Sequence, residues 1–417
     1  MVSYMPWKHS LSSLTKVAKP RQIELILREG ELLRKIIRGV PLHKVWMGIV
    51  CLLMAICLMP ASKGASLNTA TAPAIAEERL NTKVISAYVY DRGDLQFRDE
   101  DAGYLSQINY SFALIKDGRV SGDHWNAVET FKAYIAKHPD VIPVMAVGGW
   151  GADGFSQAAS TEQGRETFVN SAMELMDKHG FMGIDIDWEY PGSSVADIAS
   201  SPEDNDNLLL LLKDLRARLD EKTEQDDQKR YLTIAVGGSK EYADKLDCVT
   251  IASLVDQVNI MTYDLMGGDR VTGHHTALYP SNAESPSGDT AIQAFVQAGV
   301  PKEKIMLGAA FYGRAWRQVK SEDQNGLHQS AGTSGNKSYA YPEIVGLLKD
   351  GYTRYWDENA SAPYLFNGST FISYEDTESI AIKGAYATDH GLNGVMFWEY
   401  GQDTTGDLLK ALSSAME

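Results

Sequence analysis

The chain has 417 residues, of which 44% are hydrophobic and 9% aromatic, with a formal net charge of −16. That composition is globular and excludes a disordered or fibrous chain. The charge is uneven: residues 1–64 hold ten of the 39 basic and three of the 55 acidic side chains, which leaves the remainder at −23. A body this acidic argues against a nucleic-acid partner, because Lys and Arg contacts to phosphate supply most of that affinity.

The N-terminal part carries the basic residues. Val45 to Met59 is a run of 15 uncharged, mostly apolar residues, preceded by Lys44 and followed by the small-residue stretch Pro60-Ala61-Ser62-Lys63-Gly64-Ala65. A basic flank, a short apolar core and small residues form the pattern of a secretory signal. The run is short for a permanent span of about 20 residues. The expectation is therefore a secreted protein, with an uncleaved membrane anchor through residues 45–59 as the alternative. Residues 65–80 read as a linker. Cys51 and Cys57 lie in the apolar run, so Cys248 alone remains in the body. No intrachain disulfide and no cysteine-held zinc are expected there.

Beyond the linker, residues 81–417 alternate short apolar runs with longer amphipathic ones. Eight strands are predicted: Val84–Tyr90, Gln107–Ala113, Val141–Gly148, Gly183–Glu189, Leu232–Gly237, Gln257–Tyr263, Ile305–Phe311 and Gly394–Trp398. Gly164–His179 and Asn205–Leu219 have helical apolar spacing. Strand-helix alternation through eight strands points to an α/β fold, a closed (β/α)₈ TIM barrel. A doubly wound open sheet is the alternative, but no glycine fingerprint follows the first strand. The interval of about 80 residues before the last strand is too long for a loop. It reads as a small α+β insertion over 316–385, between strands seven and eight.

The segment Gly183-Ile184-Asp185-Ile186-Asp187-Trp188-Glu189-Tyr190 carries the chemistry. Alternate side chains of a strand share a face. Asp185, Asp187 and Glu189 are thus predicted to point into the barrel lumen, while Ile184, Ile186 and Trp188 pack under the helices. Glu189 falls nearest the C-terminal end of the strand, where barrel active sites lie. Three carboxylates about 7 Å apart along a buried strand cannot all ionise freely, so at least one pKa is raised, as a general acid requires. A solvated edge strand and a Mg²⁺ or Ca²⁺ site are the competing readings of the same residues.

With these residues in view, the sequence resembles glycoside hydrolase family 18, the chitinases. GIDIDWEYP matches the core of that family's Asp-x-x-Asp-x-Asp-x-Glu signature. The segments QINYSFA (107–113), AVGGW (146–150), MTYDLMGG (261–268), GAAFYGRAW (308–316) and GVMFWEY (394–400) resemble further family motifs in the same order. The long interval resembles the family's chitinase insertion domain. The resemblance implies hydrolysis of β-1,4-linked N-acetylglucosamine, endo or exo, by a retaining, substrate-assisted mechanism. It implies Glu189 as general acid/base, Asp187 as the acetamido partner, Asp185 sharing charge with Asp187, and Tyr263 as donor to the acetamido oxygen. It places Tyr88, Trp150, Met261, Asp264, Arg314, Trp316 and Trp398 among substrate-contacting residues. The expected partner is chitin or a chitooligosaccharide, the expected state a monomer, and no cofactor or metal is implied. A chitin-binding lectin on the same fold, and a family hydrolase of peptidoglycan or N-glycan cores, are the alternatives.

Two positions depart from the family pattern. Met182 stands where the first Asp of the signature usually lies, and Ala146 where a serine often precedes the two glycines. Both are expected near Asp185, leaving Tyr88 alone to manage its charge. Trp356 is a further candidate for sugar stacking. His274 and His275 read as loop residues rather than ligands.

Overall fold

A computed structural model describes residues 83–320 and 325–417. The N-terminal readings, the signal or anchor within 1–64 and the linker 65–80, lie outside the described residues. Fourteen strands are present among those described. They are β1 (Val84–Tyr90), β2 (Gln107–Lys116), β3 (Arg119–Ser121), β4 (Ile142–Gly148), β5 (Gly183–Asp187), β6 (Tyr231–Gly237), β7 (Gln257–Met261), β8 (Ile305–Ala310), β9 (Tyr312–Trp316), β10 (Lys337–Ala340), β11 (Thr353–Asp357), β12 (Ala362–Phe366), β13 (Phe371–Ser373) and β14 (Gly394–Trp398).

Eight of them run parallel in the order β1, β14, β8, β7, β6, β5, β4, β2, and β2 pairs back onto β1 to close the barrel. The apolar alternation explains the layering. Ile184 and Ile186 are buried outside the barrel in the core shared with the helices, where Phe155 and Trp188 stack at 5.1 Å. The lumen holds a separate layer of Tyr88, Ala146, Ala235, Met261, Met306 and Met396. Helix Glu162–His179 starts where Thr161 accepts from the Gly164 N–H and stops at Gly180, in the left-handed region at φ 76°. Such a cap satisfies groups that the helix ends leave free.

Strand β5 is shorter than its pattern predicts, and Glu189 lies beyond the last paired residue, Asp187. The neighbouring strand ends the ladder: Gly148 and Gly149 have φ of 119° and 91°, and the Gly149 N–H donates to the Asp187 carbonyl at 2.8 Å. A Cβ at Gly148 would lie 2.0 Å from that carbonyl oxygen, so only glycine lets β4 pass this close to the acidic strand.

A second, antiparallel sheet has the order β10, β9, β13, β12, β11. Its own core is Trp316, Val319, Leu327, Tyr364, Phe366 and Phe371. It begins at Tyr312, which already pairs with Ala340, a few residues before the expected boundary at 316. Helix Thr377–Asp389, expected partly within the insertion, packs instead on β14 and on helix Asp407–Met416. Among the described residues no helix is long and apolar enough to cross a membrane.

Candidate active site

A cleft of about 820 Å³ opens at the C-terminal end of the barrel strands, with Asp187, Glu189, Tyr190, Tyr263, Asp264 and Trp398 among its walls. Asp185 lies beneath it and is wholly buried. Its Oδ1 accepts from Thr233 Oγ1 at 2.5 Å and from Asn259 Nδ2 at 3.1 Å, and its Oδ2 accepts from the Tyr88 hydroxyl at 2.8 Å. Asn259 also donates to the Tyr88 hydroxyl at 3.0 Å. Burial pushes the Asp185 pKa up to about 6 against the pull of these three donors.

Asp187 sits one layer higher and is 4% exposed. Burial, then the charges of Glu189 and Asp185, hold its pKa well above the ordinary value. Its Oδ1 has no hydrogen-bond partner among the described residues. Buried acceptors are normally satisfied, so an orphan in a cleft marks a place for a ligand donor. Burial raises Glu189 to about 7, with the Asp264 charge adding to the rise and the Tyr190 hydroxyl opposing it. A carboxyl that keeps its proton near neutrality can donate it.

Tyr263 is oriented over the same floor. Among the described residues its hydroxyl has one hydrogen-bond partner, Met396 Sδ at 3.8 Å, a weak acceptor that a ligand oxygen can replace. Burial, followed by Tyr312, Asp187 and Glu189, keeps it protonated. Trp398 forms the floor, stacked on Phe112 with centroids 5.5 Å apart. Met261 lines the cleft and is nearly buried. Trp150 is 63% exposed at the rim, edge-on to Tyr190 at 6.4 Å.

Asp264 occupies the left-handed region at φ 53°. Arg314 grips its carboxylate with two bonds, Nε to Oδ1 at 2.7 Å and Nη2 to Oδ2 at 2.5 Å. Burial pushes the Asp264 pKa up, but His275 and Arg314 outweigh it and hold the group below the ordinary carboxylate range. Such a carboxylate stays ionised while the three acidic residues of β5 and its end compete for protons.

Two expectations need correction. Tyr88 contacts Asp185 and not the cleft surface, because it is buried beneath Trp398 with ring centroids 6.0 Å apart. Trp316 has no exposed surface: its ring meets Phe371 and its Nε1 donates to the Asp269 carbonyl at 2.9 Å, so it holds the second sheet together and offers no face to a sugar. Met182 lies in a bend just before β5 and is half-buried, its N–H donating to the Pro143 carbonyl on one side and its carbonyl accepting from the Tyr231 N–H on the other. Ala146 is in register with Asp185 on the adjacent strand, inside the lumen.

Thr233 and Asn259 share the task assigned to Tyr88 alone. Each is a polar residue inside an apolar strand run, YLTIAVG and QVNIM, and that inward parity is the signal for them. His274 and His275 lie in a loop, as expected, and both are buried. Among the described residues no group of three or more His, Cys, Asp or Glu is arranged to hold a metal. Trp356 lies in β11, half-buried under the Arg354 guanidinium at 5.1 Å and outside the cleft wall.

Comparison with known proteins agrees with this geometry. Residues 83–403 match glycosyl hydrolases family 18. Chitinase A1 of Niallia circulans is 37% identical over 324 residues, covering 71% of this chain but only 46% of that protein, so the chain spans less than half of this relative. A class V chitinase of Arabidopsis thaliana is 31% identical over 351 residues and is covered to 90%. A family 18 N-acetylglucosaminidase from Paenibacillus barengoltzii superposes with a TM-score of 0.77 at 41% identity, over 80% of this chain and 99% of that one. The chain belongs to glycoside hydrolase family 18.

Proposed function

We propose that this chain hydrolyses β-1,4 linkages between N-acetylglucosamine units of chitin and chitooligosaccharides, with retention and with help from the substrate. The observation that carries the reading is the pairing of an unfilled acceptor, Asp187 Oδ1, with a weakly engaged donor, the Tyr263 hydroxyl, beside a carboxylic acid of pKa about 7. An acceptor and a donor together fit an amide: the acetamido N–H goes to Asp187 and its oxygen to Tyr263. Trp398 offers the apolar face on which a sugar ring rests.

In this scheme Glu189 gives its proton to the glycosidic oxygen as the C1–O bond breaks. The acetamido oxygen bonds to C1, at the high effective concentration of a group already in place. The positive oxazolinium so formed lies against Asp187, whose charge is moderated by Asp185 below. Glu189, now ionised, takes a proton from water, and the water oxygen opens the intermediate from the face the leaving group vacated. The acetamido group and Glu189 are restored. Asp264, held ionised, hydrogen-bonds the reacting sugar.

A second reading, release of single N-acetylglucosamine units, is favoured by the similarity to the Paenibacillus N-acetylglucosaminidase. The same proposal includes export of the chain, supported by the basic flank and apolar run before Gly64, action as a monomer, and a role for 316–385 as an insertion domain walling the cleft. Gly335, Asn336 and Ser338, which line that cleft, support the last. Incubating the full chain and Glu189→Gln with a fluorogenic N,N′-diacetylchitobioside tests the reading. Turnover lost in the variant sustains it. Chitin binding without turnover by either protein would leave the lectin, and release of monosaccharide from oligomers would favour the second reading.

A further inference from the structure

The acidic strand is not the only titratable cluster at the cleft. His275 lies wholly buried behind Asp264, outside the surface a substrate touches. Its backbone is fixed: the N–H donates to Ser373 Oγ at 2.9 Å and the carbonyl accepts from the Leu265 N–H at 3.0 Å. Its ring is caught between two acceptors. Nε2 is 3.2 Å from the Tyr312 carbonyl oxygen, and Nδ1 is 3.4 Å from Asp264 Oδ1. Nδ1 makes no hydrogen bond to any described residue, so its link to Asp264 is an ion-pair contact.

A neutral imidazole carries one N–H and one lone pair. With the proton on Nε2, the Nδ1 lone pair faces the Asp264 carboxylate. With the proton on Nδ1, the Nε2 lone pair faces the Tyr312 carbonyl. Only the doubly protonated ring satisfies both sides. We infer that His275 is a positioning residue which, as an imidazolium, clamps Asp264 from behind while Arg314 grips it from the side. The inference rests on reading the cleft as a hydrolase site, with Asp264 as a substrate contact.

The clamp has a reason. Asp264 sits at φ 53°, a conformation that costs a non-glycine residue energy and persists only where its surroundings hold it. The groups facing His275 are Asp264, which favours its charge, Arg314, which opposes it, and Glu375 with its buried partner Lys383. Burial pulls the ring toward neutrality, so the clamp engages on the acid side of neutral and releases as the proton leaves.

Two measurements on the full chain test this. Selective ¹⁵N labelling of histidine reads the charge of His275 directly, its signal identified by loss in His275→Gln. The expected result is two protonated ring nitrogens at about pH 5. A ring with one proton throughout the active pH range would overturn the inference. In parallel, kcat/KM on chitooligosaccharides is followed against pH. His275→Phe is expected to lose about tenfold at about pH 5 and to converge with the parent above neutrality, where the parent ring is itself neutral. His275→Gln, which keeps a donor at every pH, is expected to recover most of the loss. A loss in His275→Phe equal at all pH values would mark a merely structural residue and refute the clamp. If the parent cleaves no chitooligosaccharide, the proposed function fails, and the labelling result still decides the state of the ring.

Discussion

Replacing Asp185 with asparagine separates the charge of this carboxyl from its shape. The amide fits the same partners. Its oxygen takes the Thr233 and Asn259 donors, and its NH₂ group donates to the Tyr88 hydroxyl as a protonated carboxyl would, while the Tyr88 O–H gives up the acceptor it has in the carboxylate. What the substitution removes is a charge in a dry lumen. The fold holds Asp185 at about 6, against 3.8 for an unburied aspartate. Two units of pKa correspond to about 3 kcal/mol. Because the folded pKa is the higher one, this contribution to stability is complete below pH about 4 and is lost as pH rises through about 6. Asp185→Asn is therefore expected to be more stable than the parent by up to about 3 kcal/mol at pH about 8, while turnover falls. The gain closes toward pH about 4, where the parent carboxyl is protonated. Urea unfolding midpoints at the two pH values, at one ionic strength, measure it. A stability difference that is the same at both values, or a variant weaker at the higher pH, would refute the reasoning.

Other outcomes follow from the same geometry. Glu189→Gln is expected to lose roughly 10²- to 10⁴-fold in kcat, the usual worth of a general acid, with little change in oligosaccharide binding by calorimetry. In the parent, the alkaline limb of kcat/KM should bend at about 7, since the donor must be protonated to act and its pKa lies there; a limb unmoved below pH about 9 would contradict that assignment. Trp316→Ala is expected to destabilise the protein by about 3–5 kcal/mol in denaturant titration, as a truncated core aromatic does. Trp150→Ala, at an exposed rim position, should leave the unfolding midpoint within about 0.5 kcal/mol of the parent and weaken only chitin affinity in a pull-down.

The strands and the acidic face were legible in the sequence because each depends on local alternation. GIDID reads as a strand from its isoleucines alone, and its carboxylates then share the lumen. The register between strands is not local, and there the reading failed or fell short. Asn259 reaches Asp185 across 74 positions of sequence, and only barrel closure brings Tyr88 to both. Trp316 closes a family-like motif, yet its burial is set by Phe371 on β13, which no periodicity in GAAFYGRAW announces. His275 carried no pattern at all, since its meaning depends on Asp264 turning back in the left-handed region.

The anomeric form of the first product tests the central claim most directly. Proton NMR of N-acetylchitotetraose during the first minutes of hydrolysis distinguishes the two anomers before they equilibrate. Attack by the substrate's acetamido oxygen followed by water gives two inversions, so the new reducing end should appear as the β-anomer. An initial α-anomer would mean that water attacks directly, and Asp187 and Tyr263 would then have some other task than holding the acetamido group.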